Sequence, residues 1–137
     1  MANFDIAYKK LVKHEGGYVN DPKDNGGETY KGISRKFHPD STLWIYIDEY
    51  KRKNIPLKNL ENDALVQKIV KAIYKNDYWD VFNFDDIKYQ SIAEEIFDDA
   101  VNRGVKSACI LASTLLGMSV VNKPTDELLY NLKHLKR

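Results

Sequence analysis

The run His14-Glu15-Gly16-Gly17-Tyr18-Val19-Asn20-Asp21-Pro22-Lys23-Asp24-Asn25-Gly26-Gly27-Glu28-Thr29-Tyr30-Lys31-Gly32-Ile33-Ser34 separates one helical segment from several others. Before it, Phe4, Ala7, Tyr8, Leu11 and Val12 recur at the spacing of one helix face, with Asn3 placed to cap the start and Asp5 in the first turn. The next position on that apolar stripe is Glu15, and Gly16 and Gly17 then stop the helix. Within the run, Asn20, Pro22, Asn25, Gly26, Gly27 and Gly32 mark turns, while Tyr18, Val19, Thr29, Tyr30 and Ile33 favour strands. A small irregular β-hairpin or compact loop satisfies both sets.

Helices follow. Asp40 or Ser41 can cap one carrying Leu43, Trp44, Ile47 and Tyr50, with Trp44 in the core, and the connection Lys51-Arg52-Lys53-Asn54-Ile55-Pro56-Leu57-Lys58 reads as solvated surface. Asn62 caps a longer, central helix with Leu65, Val66, Ile69, Val70, Ile73 and Tyr74 on one face and Tyr78-Trp79 near its end. After a polar break over Phe84 to Tyr89, a helix from Ser91 buries Ile92, Ala93, Ile96, Phe97, Ala100 and Val101 and ends at Gly104. A further helix runs through Ala108, Leu111, Ala112, Leu115 and Leu116, and a last one starts at Thr125. The expected fold is therefore mainly all-α with one small β element, and 137 residues fit one domain.

With 21 basic and 20 acidic side chains, the formal charge of +1 gives no field that would draw nucleic acid or anionic lipid. The single cysteine, Cys109, lies in an apolar helical pattern, which points to a buried inert thiol and to synthesis in a reducing compartment. No apolar run reaches the length of a membrane span, and the N-terminal residues lack the apolar core of a signal peptide. The expectation is a protein made in the cytoplasm, not inserted in membrane, that needs another route to act outside.

Three chemistries compete for the quoted run. A zinc-protease helix needs a second histidine four residues after His14, where Tyr18 stands. A calcium loop with Gly26 at its sixth position would put Lys23 and Gly32 where oxygen ligands belong. Paired carboxylates for glycoside hydrolysis fit better: Glu15 continues the apolar stripe, where desolvation favours the protonated acid, while Asp21, Asp24 and Glu28 lie on a polar loop that keeps a carboxylate ionised. Spacing does not choose among those three. His14, one position off the stripe, reads as a solvent-facing neighbour of Glu15.

The run Glu15 to Pro22 (E-G-G-Y-V-N-D-P), with D-x-G-G-E-T from Asp24 to Thr29 and G-I-S from Gly32 to Ser34, resembles the signature of glycoside hydrolase family 108. I-Y-K-N-D-Y-W from Ile73 to Trp79 and F-D-D-A-V-N-R-G from Phe97 to Gly104 resemble two later family motifs. Phage endolysin-type N-acetylmuramidases and bacterial relatives, some described as secretion activators, make up that family.

The resemblance implies a lysozyme-like helical domain over residues 1–137, with a catalytic segment over 1–90 and a C-terminal segment over 91–137. It implies hydrolysis of the peptidoglycan β-1,4 bond after N-acetylmuramic acid, with Glu15 as the acid and no cofactor or metal. The order of Glu15, Asp24 and Thr29 is similar to that in phage lysozymes, which implies Asp24 as the second carboxylate and Thr29 as a hydroxyl near the attacking water. Tyr18, Asn20, Asp21, Glu28, Tyr30, Tyr74, Trp79 and Asn102 are the expected glycan contacts, although an aromatic cluster at the spacing of Tyr74 and Trp79 also fits a core. The expected partner is a glycan strand, bound by a monomer that reaches the wall or periplasm through a holin or another route.

The chain departs from the family pattern where Ala112 follows Leu111 in place of glutamine, and where M-S-V-V-N-K-P-T from Met118 to Thr125 replaces a glycine-containing segment. A shortened peptidoglycan-binding region follows from this. The reading of a different class is a wall-binding or secretion-assisting protein that keeps the fold without catalysis.

Overall fold

The computed structural model describes residues 1–13, 16–23 and 27–136. It is mainly helical with a small antiparallel sheet, as the periodicities and turn residues predict. Its chain divides into two compact units, one of Met1–Lys9 with Ile73–Arg137 and one of Lys10–Ala72.

The first unit begins with helix α1 (Phe4–Val12), whose last residues belong to the second. Asn3 caps it as expected: its Oδ1 accepts from the Ile6 amide at 3.1 Å. The chain just before α1 is strapped to the start of α4 (Gln90–Arg103). The Gln90 amide group exchanges hydrogen bonds with the Asn3 backbone at 2.6 and 3.0 Å, and the Ala2 amide donates to the Ile87 carbonyl at 2.7 Å.

Around α1 an aromatic core assembles. Phe4, Phe97 and Phe84 surround Trp79 with ring centroids 5.5, 5.3 and 4.9 Å away, all in edge-to-face geometry. The polar break expected over Phe84 to Tyr89 contributes to this core, because Phe84 and Ile87 turn inward from a short 3₁₀ turn at Phe84–Asp86. Helix α4 ends at Gly104, whose φ of 100° and ψ of 159° suit glycine alone, and α5 (Val105–Leu115) starts directly after it. The Ser107 hydroxyl bridges the two helices by donating to Asp99 at 2.8 Å. Cys109 is buried in α5, where the apolar surround pushes its thiol up to about 11. The last helix, α6 (Asp126–Lys133), is capped by the Thr125 hydroxyl, which accepts from the Leu128 amide at 3.1 Å.

In the second unit, strands β1 (Tyr18–Asn20), β2 (Glu28–Tyr30) and β3 (Ile33–Ser34) form the sheet in that order, all antiparallel. Helix α2 (Leu43–Arg52) buries Leu43, Trp44 and Ile47, and the Ser41 hydroxyl accepts from the Leu43 amide. The basic connection after α2 is more ordered than its composition suggests, since Leu57–Asn62 forms a 3₁₀ helix with Leu60 fully buried. Asn62 is used in that turn, and the cap of α3 (Ala64–Tyr74) passes to Asp63, whose Oδ1 accepts from Leu65 and Val66 at 3.1 and 3.2 Å. At Lys75–Trp79 the helical path of α3 widens into a π turn. Among the described residues no helix is long and apolar enough to cross a membrane.

Candidate active site

Glu15 and Asp24, the expected catalytic pair, lie outside the described residues, as does His14. The three-stranded sheet of residues 18–20, 28–30 and 33–34 is described. Tyr18 pairs with Tyr30, Val19 with Thr29 and Asn20 with Glu28, and Thr29 pairs in turn with Ser34. Directly paired residues share a face of an antiparallel sheet, so alternation puts Thr29 on one face and Glu28 and Tyr30 on the other. Two side chains expected at one site therefore leave β2 in opposite directions.

Strands β2 and β3 are joined by the two-residue turn Lys31-Gly32, with φ of 46° and 81°. Positive φ at both central positions is the type I′ hairpin turn, which suits glycine and strains lysine. Tertiary contacts hold Lys31 there. It is buried, and its Nζ donates to Glu61 at 3.1 Å and to Gln67 at 2.7 Å. Gln67 also donates to the Tyr30 hydroxyl at 2.8 Å, so α3 fixes both the last residue of β2 and the turn after it.

On the Glu28 face the charges are paired. Both Tyr18 and Lys51 donate to Glu28 Oε2, and Arg35 donates to Oε1 at 2.9 Å. Arg35 also forks onto Asp48 at 2.8 and 2.7 Å, while Lys51 Nζ stands 5.0 Å from the centre of the Tyr18 ring. Burial works to raise the Glu28 carboxyl, but the donors on it outweigh burial and hold it below its ordinary value of 4.5. Burial and the bond to Glu28 push the Tyr18 hydroxyl up. Glu28 is thus an anion whose acceptor sites fasten β2 to β1 and α2, which is chemistry unlike that of a proton donor.

The stability it contributes is present above its ordinary value and is lost as pH falls through its lower folded value. Glu28→Gln is expected to lower stability by about 1 kcal/mol at pH 7, a modest figure because exposed cations are screened. Thermal unfolding followed from pH 7 to pH 3 should show a shallower acid decline in the variant than in the wild type. A parallel decline in the two would contradict this role for Glu28.

The remaining expected contacts are distributed over both units. Asn20 and Asp21 are exposed, and Asp21 Oδ1 accepts from the Lys23 amide at 2.9 Å in a local turn. Tyr30 is buried within the second unit. In the other unit, Asn102 is exposed in the last turn of α4. Tyr74 and Trp79, expected as glycan contacts or core, are core residues: they are 1% and 0% exposed, and the Trp79 Nε1 donates to Asp85 at 2.8 Å. Enclosure by other rings leaves neither face of Trp79 for a sugar.

Arg35, Asp48 and Lys51 are not among the residues expected from sequence. Their charges alternate in sign with that of Glu28, but the pairing joins a strand to a helix and has no local spacing to reveal it. A pocket of about 400 Å³, lined by Gly17, Tyr18, Tyr30, Leu57, Lys58 and Glu61, opens on this unit. Among the described residues no group of histidine, cysteine or carboxylate side chains is placed to hold a metal ion.

Residues 8–104 match the sequence model of the family described as Glycosyl hydrolase 108. The solved structure of Brucella abortus SagA is similar in fold, with a TM-score of 0.65 and 22% identity over 97% of this chain and 70% of that one. None of the curated proteins matches the chain.

Proposed function

The chain belongs to glycosyl hydrolase family 108, and on that premise we propose that it is a peptidoglycan N-acetylmuramidase. Membership supports glycosidase chemistry in general. The finer reading names the bond, the β-1,4 link after N-acetylmuramic acid, and the groups that act on it. The observation that carries it is the extent of the match, since residues 8–104 contain the whole acid- and glycine-rich run with Glu15, Asp24 and Thr29 in their expected order.

In this mechanism Glu15 gives its proton to the glycosidic oxygen as the bond to the anomeric carbon breaks. Asp24 orients a water and takes its proton, and the Thr29 hydroxyl holds that water in line. The structure supports a fixed place for Thr29: it is on the middle strand, flanked by Val19 and Ser34. Asp21 is less suited, being exposed and engaged in its own turn, and Glu28 is bound by three donors. The proposed enzyme acts on the wall as a monomer, with the glycan strand as its partner and no cofactor.

Release of reducing ends from purified peptidoglycan tests the assignment of the second carboxylate. Asp24→Ala is expected to lower the rate about a hundredfold, in the range of a lost general base, while Asp21→Ala stays within a few-fold of wild type. The reverse order would transfer the role to Asp21. Activity abolished by a chelator, with new amino groups in place of reducing ends, would identify a metal-dependent peptidase and overturn the glycosidase reading.

A further inference from the structure

The pocket lined by Gly17, Tyr18, Tyr30, Leu57, Lys58 and Glu61 lies wholly within the Lys10–Ala72 unit and has the volume of a small-ligand site, about 400 Å³. Its lining residue Gly17 is two positions along the chain from Glu15. Tyr18 and Leu57, both part-buried, give it apolar surface, and Lys58 and Glu61 bring charges of opposite sign. Glu61 is paired with Lys31 at 3.1 Å yet keeps 62% of its side chain exposed. Lys58 is exposed and has no ionic partner among the described residues, so its ammonium is available to a ligand.

The sugar backbone of peptide-bearing peptidoglycan is electrically neutral, because the lactyl carboxyl of each muramic acid is consumed in an amide. A cation and an anion beside an apolar wall have no counterpart in such a chain. They do have counterparts in the peptide attached to it, which carries free carboxylates, an ammonium group and short aliphatic stretches. We propose that this pocket holds the peptide stem of peptidoglycan, with Lys58 taking a stem carboxylate, Glu61 meeting the ammonium and Leu57 and Tyr18 covering the aliphatic part. Lys58 is then a specificity-determining residue that favours peptide-bearing over bare glycan. This rests on the muramidase reading for its substrate but concerns binding, which can be measured without hydrolysis.

The probe is the free tripeptide L-alanyl-γ-D-glutamyl-L-lysine, titrated into the full chain and followed by calorimetry or by amide chemical shifts. The wild type is expected to bind it, Lys58→Ala to weaken binding about fivefold, Lys58→Glu to abolish it and Lys58→Arg to retain it. Because Lys58 is exposed and has no ionic partner among the described residues, all three variants should unfold at the wild-type temperature. In the hydrolysis assay, Lys58→Ala should raise KM about fivefold on peptide-bearing strands with kcat unchanged, and should leave strands stripped of peptide unaffected.

No tripeptide binding by the wild type, or wild-type binding by Lys58→Glu, would overturn the proposal. So would an equal loss on stripped strands, which would assign Lys58 to the lactyl carboxylate that stripping exposes. Tripeptide binding without any release of reducing ends would overturn the muramidase reading and leave the pocket standing. Release of reducing ends without tripeptide binding would do the opposite.

Discussion

Glu15→Gln is expected to lower the release of reducing ends from peptidoglycan by about a thousandfold, while leaving the folding and the glycan affinity of the protein near wild type. The amide keeps the shape of the carboxyl group and most of its hydrogen bonding but has no proton to give to the leaving oxygen. General acid catalysis is worth roughly 10²–10⁴ in rate, which sets the size of the loss. In the sequence pattern Glu15 follows the stripe of Phe4, Ala7, Tyr8, Leu11 and Val12, and an acid at the end of an apolar stripe is expected to favour the protonated form that the reaction requires. A rate within a few-fold of wild type would remove Glu15 from the mechanism, and equal inactivity of both proteins would favour a binding or secretion-assisting role for this fold.

The second large effect concerns stability. Trp79→Ala should destabilise the protein by about 3–5 kcal/mol, the usual cost of removing a large buried aromatic, and lower its melting temperature by about 10 °C or more. Trp79 has no exposed surface and touches Phe4, Phe84 and Phe97, so truncation opens a cavity whose walls come from α1, α4 and the turn at Phe84–Asp86. Its hydrogen-bond acceptor, Asp85, is exposed and regains water, so the loss is mainly one of packing. Thermal unfolding measures the effect, and the KM of the protein that remains folded should be unchanged. A rise in KM at unaltered melting temperature would return Trp79 to the glycan.

These two residues show where the sequence is informative. Caps and apolar stripes are local, and Asn3 and Thr125 cap α1 and α6 as their positions predict. Asn62 and Asp63 are adjacent and both able to cap; the buried Leu60 draws the preceding residues into a 3₁₀ turn and leaves the cap to Asp63. The Lys31-Gly32 turn is hidden for a different reason. Lysine is a poor residue for positive φ, and what holds it, Glu61 and Gln67, is 30 and 36 residues away. The π turn at Lys75–Trp79 breaks the helical period that reading by stripe assumes, so Tyr78 and Trp79 look like the end of a regular helix.

The candidate site divides in the same way. Glycines and turn residues set its acids apart as a group in the sequence, but the sequence does not divide the labour among them. The acceptor sites of Glu28 are taken by Tyr18, Lys51 and Arg35, partners drawn from β1, α2 and the segment after β3. Asp21 closes a turn on itself, which is local and could have been read from Asp-Pro-Lys. Sorting the aromatics needed the fold, since Tyr18 and Trp79 carry the same chemical promise in sequence, but Tyr18 is half-buried and lines a pocket whereas Trp79 is fully buried.

The proposed muramidase activity is tested most directly by the chemistry of the new chain end. Peptidoglycan digested by the protein, reduced with borohydride and hydrolysed to its sugars should yield muramitol, because cleavage after N-acetylmuramic acid leaves that sugar as the reducing end. Glucosaminitol in its place, 1,6-anhydromuramic acid, or no new reducing end at all would contradict it.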